Sequence, residues 1–323
     1  MAMSTETPAV TARGSGILHE AFLYAGVDEF VSGMVPFIEE GRHAGGPVLV
    51  AVTEANADAL RSALPSPQDG VRFVHIESVG RNPGRIISLW RDFLSPSNGA
   101  GAGVRGIGEP IWTGRSAPEL VECHQHELLL NLAFGTGPSW RLACPYDVST
   151  LPELVLERAR SNHPMVTVAS GSNTSPSYLP DYEQVLAEPL PPSPAELAGQ
   201  LRFQLDDLPD VRRLTSRLTA QAHAAPRRQA DFITAVNEVA TNSIRYGGGT
   251  GQLKLWFEPG NLVVEISDPG VIDSPLVGRQ RPIPGPGGGY GLWLVHQLCD
   301  LVQLRSDPVT GTVVRMYLRT GPA

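Results

Sequence analysis

Glu238 and Asn242 stand four residues apart in the run Asn237-Glu238-Val239-Ala240-Thr241-Asn242-Ser243. On a helix, that spacing projects a carboxylate and an amide from one face. The amide oxygen is a hard ligand suited to Mg²⁺, and the carboxylate can polarise an attacking hydroxyl or water. Asp268 follows in Ile266-Ser267-Asp268-Pro269-Gly270. Its carboxylate can accept a hydrogen bond from an exocyclic amino group such as that of adenine, and Gly270 lets the backbone pass close to a planar base. Gly287, Gly289 and Gly291 then precede the apolar run Leu292-Trp293-Leu294-Val295. Glycines at a helix entry leave backbone N–H groups open to phosphate, which the helix dipole favours. Taken singly, each feature is commonplace: a polar helix face, a turn, a flexible loop. Their order along the chain points to an ATP site.

The elements that must position these groups are legible. Phe232, Val236, Val239, Ala240 and Ile244 recur near the helical period and predict a buried stripe on the helix that carries Glu238 and Asn242. Leu253–Phe257 and Leu262–Ile266 read as two strands joined by the turn Glu258-Pro259-Gly260-Asn261. The second strand runs directly into Asp268. Arg279–Pro286 is too rich in proline and glycine for a regular element and reads as a mobile lid.

With these motifs in place, residues 197–320 resemble the GHKL superfamily of ATP-binding domains, and the resemblance implies its α/β sandwich. It assigns Glu238 the part of the catalytic carboxylate and Asn242 that of the Mg²⁺ ligand. It makes Asp268 and Gly270 the adenine-reading motif, and Gly287, Gly289 and Gly291 the phosphate-lid motif. Ile272 stands where the family often has a further glycine. Upstream lie Leu201–Leu205 and one helix over Pro209–Ala224, with His223 near its end. That leaves no room for the phosphoacceptor hairpin of a histidine kinase. The arrangement instead resembles anti-sigma factors of the RsbW type, which bind a sigma factor and phosphorylate a serine on a STAS-type antagonist. An orphan histidine kinase and a non-catalytic, ATP-gated binding module stay open as alternatives.

The N-terminal part, residues 14–169, alternates strand and helix patterns. Val48–Val52, Val71–Ile76, Val104–Gly108, Arg141–Cys144 and Met165–Ala169 read as strands; Ala55–Leu64, Pro83–Leu94 and Ala117–Phe134 read as helices. Such alternation predicts a parallel sheet with helices on both faces. Ligands of these sheets bind beyond the strands' carboxyl ends, here Thr53-Glu54, Glu77, Glu109 and Tyr146-Asp147. No Gly-Lys-Ser/Thr phosphate cradle follows the first strand. The phrases His19–Tyr24, Gly108–Trp112, Cys144–Asp147 and His163-Pro164 resemble the MEDS sensory domain, a relative of the RecA/KaiC-type fold. That resemblance implies sensing of a small organic ligand, with His19 and Tyr24 as pocket candidates. Cys123, His126 and Glu127 share a helix face as metal-ligand candidates, although a mixed helix surface explains them as well. Cys144 reads as a buried, inert thiol.

A polar run, Ser170–Ser177, and the dense prolines of Pro189–Pro194 mark residues 170–196 as a linker. The segment Tyr178–Leu186 between them is a candidate for docking on a neighbouring domain. At 323 residues the chain can hold two cores. Its net charge of -8 argues against general nucleic-acid binding. Three scattered cysteines form no disulfide framework. There is no apolar run of membrane-spanning length, and Met1–Ala12 carries no signal pattern and reads as disordered. The expectation is a cytoplasmic regulator that joins a small-molecule sensor to an anti-sigma serine kinase using Mg²⁺ and ATP. Neither a membrane nor a nucleic acid is among its expected partners, and a homodimer is compatible with it. The whole layout resembles actinobacterial regulators of the RsbA family.

Overall fold

The computed structural model describes residues 16–65, 70–95, 103–182, 184–282 and 289–320. Met1–Ala12, Gly287 and the second half of the expected lid, 283–286, lie outside these ranges. The chain begins with β1 (Ile17–Tyr24), α1 (Gly26–His43), β2 (Val48–Val52), α2 (Glu54–Ala63), β3 (Val71–His75) and the short α3 (Ile76–Val79). Next come α4 (Ile86–Phe93), β4 (Arg105–Gly108), α5 (Ala117–Phe134), β5 (Trp140–Asp147), α6 (Glu153–Asn162), β6 (Met165–Val168) and β7 (Gly171–Thr174). Their strands form a seven-stranded sheet ordered β3-β2-β4-β5-β1-β6-β7. Every pairing is parallel except β6 with β7.

Burial on both faces explains the continuous apolar run of β2. Leu49 and Ala51 face a core shared with α4, α5 and α6, while Val48, Val50 and Val52 face one shared with α1 and α2. Three features differ from the expectation. His19–Tyr24, met only as a phrase, belongs to β1, a strand inside the sheet between β5 and β6. The helix expected over Pro83–Leu94 is split into a 3₁₀ turn, Pro83–Arg85, and α4; the Asn82 side chain caps that turn by accepting from Gly84 N at 3.1 Å. Gly171–Thr174, inside the polar run, pairs antiparallel with β6 although every one of its side chains is exposed. Backbone pairing at a sheet edge leaves no hydrophobic pattern to read.

The second part contains α7 (Gln184–Ala187), β8 (Gly199–Phe203), α8 (Leu208–Gln221), α9 (Pro226–Tyr246), β9 (Gly251–Glu258), β10 (Asn261–Asp268), α10 (Tyr290–Leu298), β11 (Leu301–Asp307) and β12 (Gly311–Arg319). Its five strands form an antiparallel sheet ordered β11-β12-β10-β9-β8. Phe232, Val236 and Val239 of α9, with Val295 of α10, pack on Leu253, Leu255, Val264 and Met316 of that sheet. The linker prolines run along the opposite face, where Arg315 donates to Pro191 O at 2.7 Å.

The two parts are docked through buried polar contacts. Glu122 of α5 is fully buried and holds two buried arginines, Arg279 at 2.9 Å and Arg305 of β11 at 3.0 Å. Glu119 accepts from Arg319 of β12 at 2.8 Å. Arg85 donates to the carbonyls of His296, Gln297 and Cys299 at 2.7–2.9 Å. A cation there meets both the unpaired carbonyls and the negative end of the α10 dipole. Ser88 donates to Arg279 O at 3.1 Å. Within Tyr178–Leu186, Val185 joins the first core and Leu186 the second.

Glu122→Gln keeps the volume and strands two buried guanidinium groups. Removing one partner of a buried ion network costs roughly 3–5 kcal/mol. Urea unfolding of the full chain should therefore start at lower denaturant in this variant, and an unchanged curve would remove the triad from the docking energetics.

Candidate nucleotide-binding site

Glu238 and Asn242 are half-buried on α9, one turn apart on the face turned toward α10. The buried stripe places them there: Phe232, Val236, Val239 and Ala240 are all buried against the sheet, so the polar pair takes the flank. The entry of α10 comes very close. A Cβ on Gly291 would lie 3.1 Å from Glu238 Oε2 and 3.3 Å from Asn242 Nδ2. A side chain at that position would crowd both groups. Gly289 caps α10 with φ +96°, a left-handed conformation that glycine adopts without penalty. The first N–H groups of α10 thus open beside the carboxylate and the amide, which is the arrangement an anion with a bound cation needs.

Asp268, at the end of β10, closes the other side. Ser243 Oγ donates to its Oδ2 at 2.6 Å and Gly270 N donates to its Oδ1 at 2.9 Å. These two donors fix the carboxylate plane, and each oxygen keeps a lone pair for a ligand amino group. The antiparallel register pairs Asp268 with Thr312, whose hydroxyl donates to Gly270 O at 2.8 Å and lies 2.9 Å from Ser306 Oγ. Ser306 Oγ in turn accepts from Ile272 N at 2.8 Å. Ile272, where the family pattern has glycine, therefore anchors its backbone to β11 and lends an apolar side chain to the wall.

These groups surround a cleft of about 600 Å³. Val239, Ile272, Val277, Leu292 and Val314 form its apolar lining, and Glu238, Asn242, Asp268, Thr312 and Gly291 supply polar points. An apolar slot with a few placed polar groups suits a planar base and a charged tail. The structure brings together six of the seven candidates, Glu238, Asn242, Asp268, Gly270, Gly289 and Gly291, while Gly287 lies outside the described residues. Sequence reasoning missed Ser243 and Thr312. Ser243 lies one residue beyond Asn242 and twenty-five before Asp268, and only the packing of α9 on β10 joins them.

The sensory-side candidates fare differently. Glu109 accepts from Thr53 N, Thr53 Oγ1 and Asn56 Nδ2 at 2.8–2.9 Å. Burial pushes its carboxyl up to about 7 against those bonds. It thus ties β4 to the start of α2. Tyr24 packs against Phe30, with ring centroids 5.2 Å apart, and His19 is wholly buried. Both side chains are enclosed, and the Tyr24 hydroxyl accepts from Asn56 Nδ2 at 3.4 Å. The proposed Cys123, His126 and Glu127 face does not converge. Cys123 donates to Pro110 O at 3.2 Å, and burial pushes its thiol up to about 12. Glu127 turns instead toward β1 and β5. Among the described residues, no helix is long and apolar enough to cross a membrane.

Residues 18–164 match the family "MEDS: MEthanogen/methylotroph, DcmR Sensory domain". Residues 201–318 match "Histidine kinase-like ATPase domain". No curated protein matches the chain. The second match implies ATP binding, and the cleft fits it in shape, polarity and placement.

Asp268→Asn tests the adenine contact. The change retains size but replaces an acceptor-only carboxylate with an amide. Losing a hydrogen bond to a charged group costs about 1.5–3 kcal/mol, so ATP affinity in calorimetry should fall roughly tenfold or more. Unchanged affinity in a folded variant would contradict the assignment.

Proposed function

We propose that this chain, a MEDS sensory domain joined to a histidine kinase-like ATPase domain, is a signalling regulator that works as an ATP-dependent anti-sigma factor. Its ATPase domain binds Mg²⁺ and ATP, captures a sigma factor and phosphorylates a serine on a STAS-type antagonist. The observation that carries the reading is the meeting of Glu238, Asn242 and the α10 entry at Gly291, above a cleft that ends at Asp268. ATP supplies the phosphoryl group. Asn242 would hold Mg²⁺ through its amide oxygen, and Asp268 would select adenine. Glu238 would take the proton of the serine hydroxyl as its oxygen attacks the γ-phosphorus, with ADP as the leaving group. Phosphoryl transfer depends mainly on positioning and charge stabilisation, so a short list of groups is enough.

The histidine-kinase alternative finds little support in the geometry. His223 sits with φ 51° in the turn between α8 and α9 rather than on an exposed helix face. The docking contacts support control by the sensory domain. Arg279, the first residue of the expected lid, is held by Glu122 and Ser88. The far end of α10 is held by Arg85 and Asn82. Both ends of the lid-and-helix unit thus rest on the sensory domain. A groove of about 430 Å³ between α5 and α6, reaching Val185 of α7, is where a small organic effector would press on that support.

Glu238→Gln separates catalysis from capture. It keeps volume and hydrogen-bonding reach but removes the base. Radiolabelled phosphate transfer to a purified STAS-type antagonist should fall by about a hundredfold to ten-thousandfold, with ATP binding and sigma pull-down retained. Transfer at the wild-type rate would remove Glu238 from the role. ATP binding without transfer to any antagonist by the wild type would favour the non-catalytic switch.

A further inference from the structure

The interior of the sensory domain holds a second cluster that the ATP site does not use. His19 of β1, Glu127 of α5, Cys144 of β5 and His163, just after α6, converge beneath α5 with no solvent access. One potential ligand atom from each lies within 4.8 Å of all the others. His19 Nε2 is 3.0 Å from Glu127 Oε2 and 3.3 Å from Cys144 Sγ. His163 Nε2 is 3.3 Å from Glu127 Oε2, and Cys144 Sγ is 3.4 Å from the same oxygen. Four ligands at tetrahedral bond lengths of about 2.0–2.3 Å stand about 3.3–3.7 Å from one another, close to these spacings.

Hydrogen bonds on the far side of each ring determine what faces inward. Asn131 Nδ2 donates to Asn162 O at 2.8 Å, so its Oδ1 must be the atom 3.0 Å from His19 Nδ1. His19 Nδ1 is therefore the donor there. His163 Nδ1 lies 2.8 Å from Ala159 O, an acceptor only, so it too carries a proton. In their neutral forms, both rings aim bare Nε2 lone pairs at a carboxylate oxygen. His163 Nε2, Glu127 Oε1 and the nearby Tyr146 hydroxyl are buried without a partner in good hydrogen-bond geometry. Converging lone pairs in a dry interior repel unless a proton or a metal cation lies between them, and in the neutral forms only the Cys144 S–H, which donates to Glu127 Oε2 at 3.4 Å, is directed at that oxygen. Outward N–H groups held by a carbonyl or amide oxygen are the usual support for metal-bound histidines.

We propose that His19, Glu127, Cys144 and His163 form a closed tetrahedral site for a borderline divalent cation of the Zn²⁺ type. Two neutral imidazoles, one thiolate and one carboxylate supply two negative charges, which a divalent ion neutralises in place. The thiolate and imidazoles disfavour the hard cations Mg²⁺ and Ca²⁺. Loading breaks the Cys144 S–H bond and forms a metal–sulfur bond, and the proton leaves to solvent. No redox change is involved. All four positions come from protein, so the site staples α5 to β1, β5 and the start of β6 rather than catalysing a reaction. The stapled helix is also the one that presents Glu119 and Glu122 to the ATPase domain.

The test uses the full chain, produced once with zinc and once with cobalt as the supplied metal. Elemental analysis should find one zinc per chain. The cobalt form should show the thiolate-to-cobalt charge-transfer band and the intense visible bands of tetrahedral cobalt. Cys144→Ala should abolish the charge-transfer band, while Cys123→Ser, outside the cluster, should keep it. Should Cys144→Ala fail to fold, the wild-type zinc content and cobalt spectrum decide alone. Folded wild-type protein without bound metal, or with cobalt that shows no thiolate band, would overturn the proposal. So would a Cys144→Ala spectrum identical to that of wild type.

Discussion

Glu122 is the constraint on which the arrangement of the two domains depends. A carboxylate with no exposed surface is tolerable only when cations compensate it, and both of its cations, Arg279 and Arg305, come from the other domain. Glu122 also lies on the same helix as Glu127, five residues on, which faces the interior of the sensory sheet. Any change that shifts α5 against its sheet therefore moves the group that holds Arg279. Arg279 stands at the foot of the segment leading to Gly289 and Gly291, the glycines beside Glu238 and Asn242. Gly278, next to Arg279, packs closely against Leu292 and His296 of α10, so described contacts link the interior of one domain to the cleft of the other.

Within the ATPase domain, the cleft follows from sheet register and one buried helix stripe. Pairing of β10 with β12 sets Asp268 opposite Thr312, and the packing of α9 brings Ser243 onto the same carboxylate. Asp268 is therefore held before any ligand arrives. Pre-oriented polar groups lose little freedom on binding, which favours selectivity for a base that offers the matching donor.

Much of this was legible in the sequence where particular residue types stand at short spacing. Glu238 with Asn242 needs only one helix, and Asp268 with Gly270 only one strand end, so both could be read. The parallel sheet was legible from continuous apolar runs such as Val48–Val52. Strand β1 was not, because His19 and Glu20 interrupt its pattern, and both are buried for reasons of chemistry rather than packing. The buried cluster was misread for a related reason. Cys123, His126 and Glu127 share a helix in sequence, but Glu127 takes its partners from β1, β5 and the turn after α6. Contacts between Glu122 and the arginines 157 and 183 residues away have no local signature at all.

The sensory domain holds the foot of the lid through Glu122 and Ser88. Hydrogen exchange at the amides of Val277 and Arg279, which donate to Ser274 O and Leu276 O at 3.1 Å, reads that hold directly. Both amides should exchange slowly in the full chain, and at least about tenfold faster when Glu122 is replaced by Gln, since loss of about 1.4 kcal/mol of local stability suffices for that factor. Equal exchange in the two proteins would contradict it, and would mean that the lid foot is held by the ATPase domain alone.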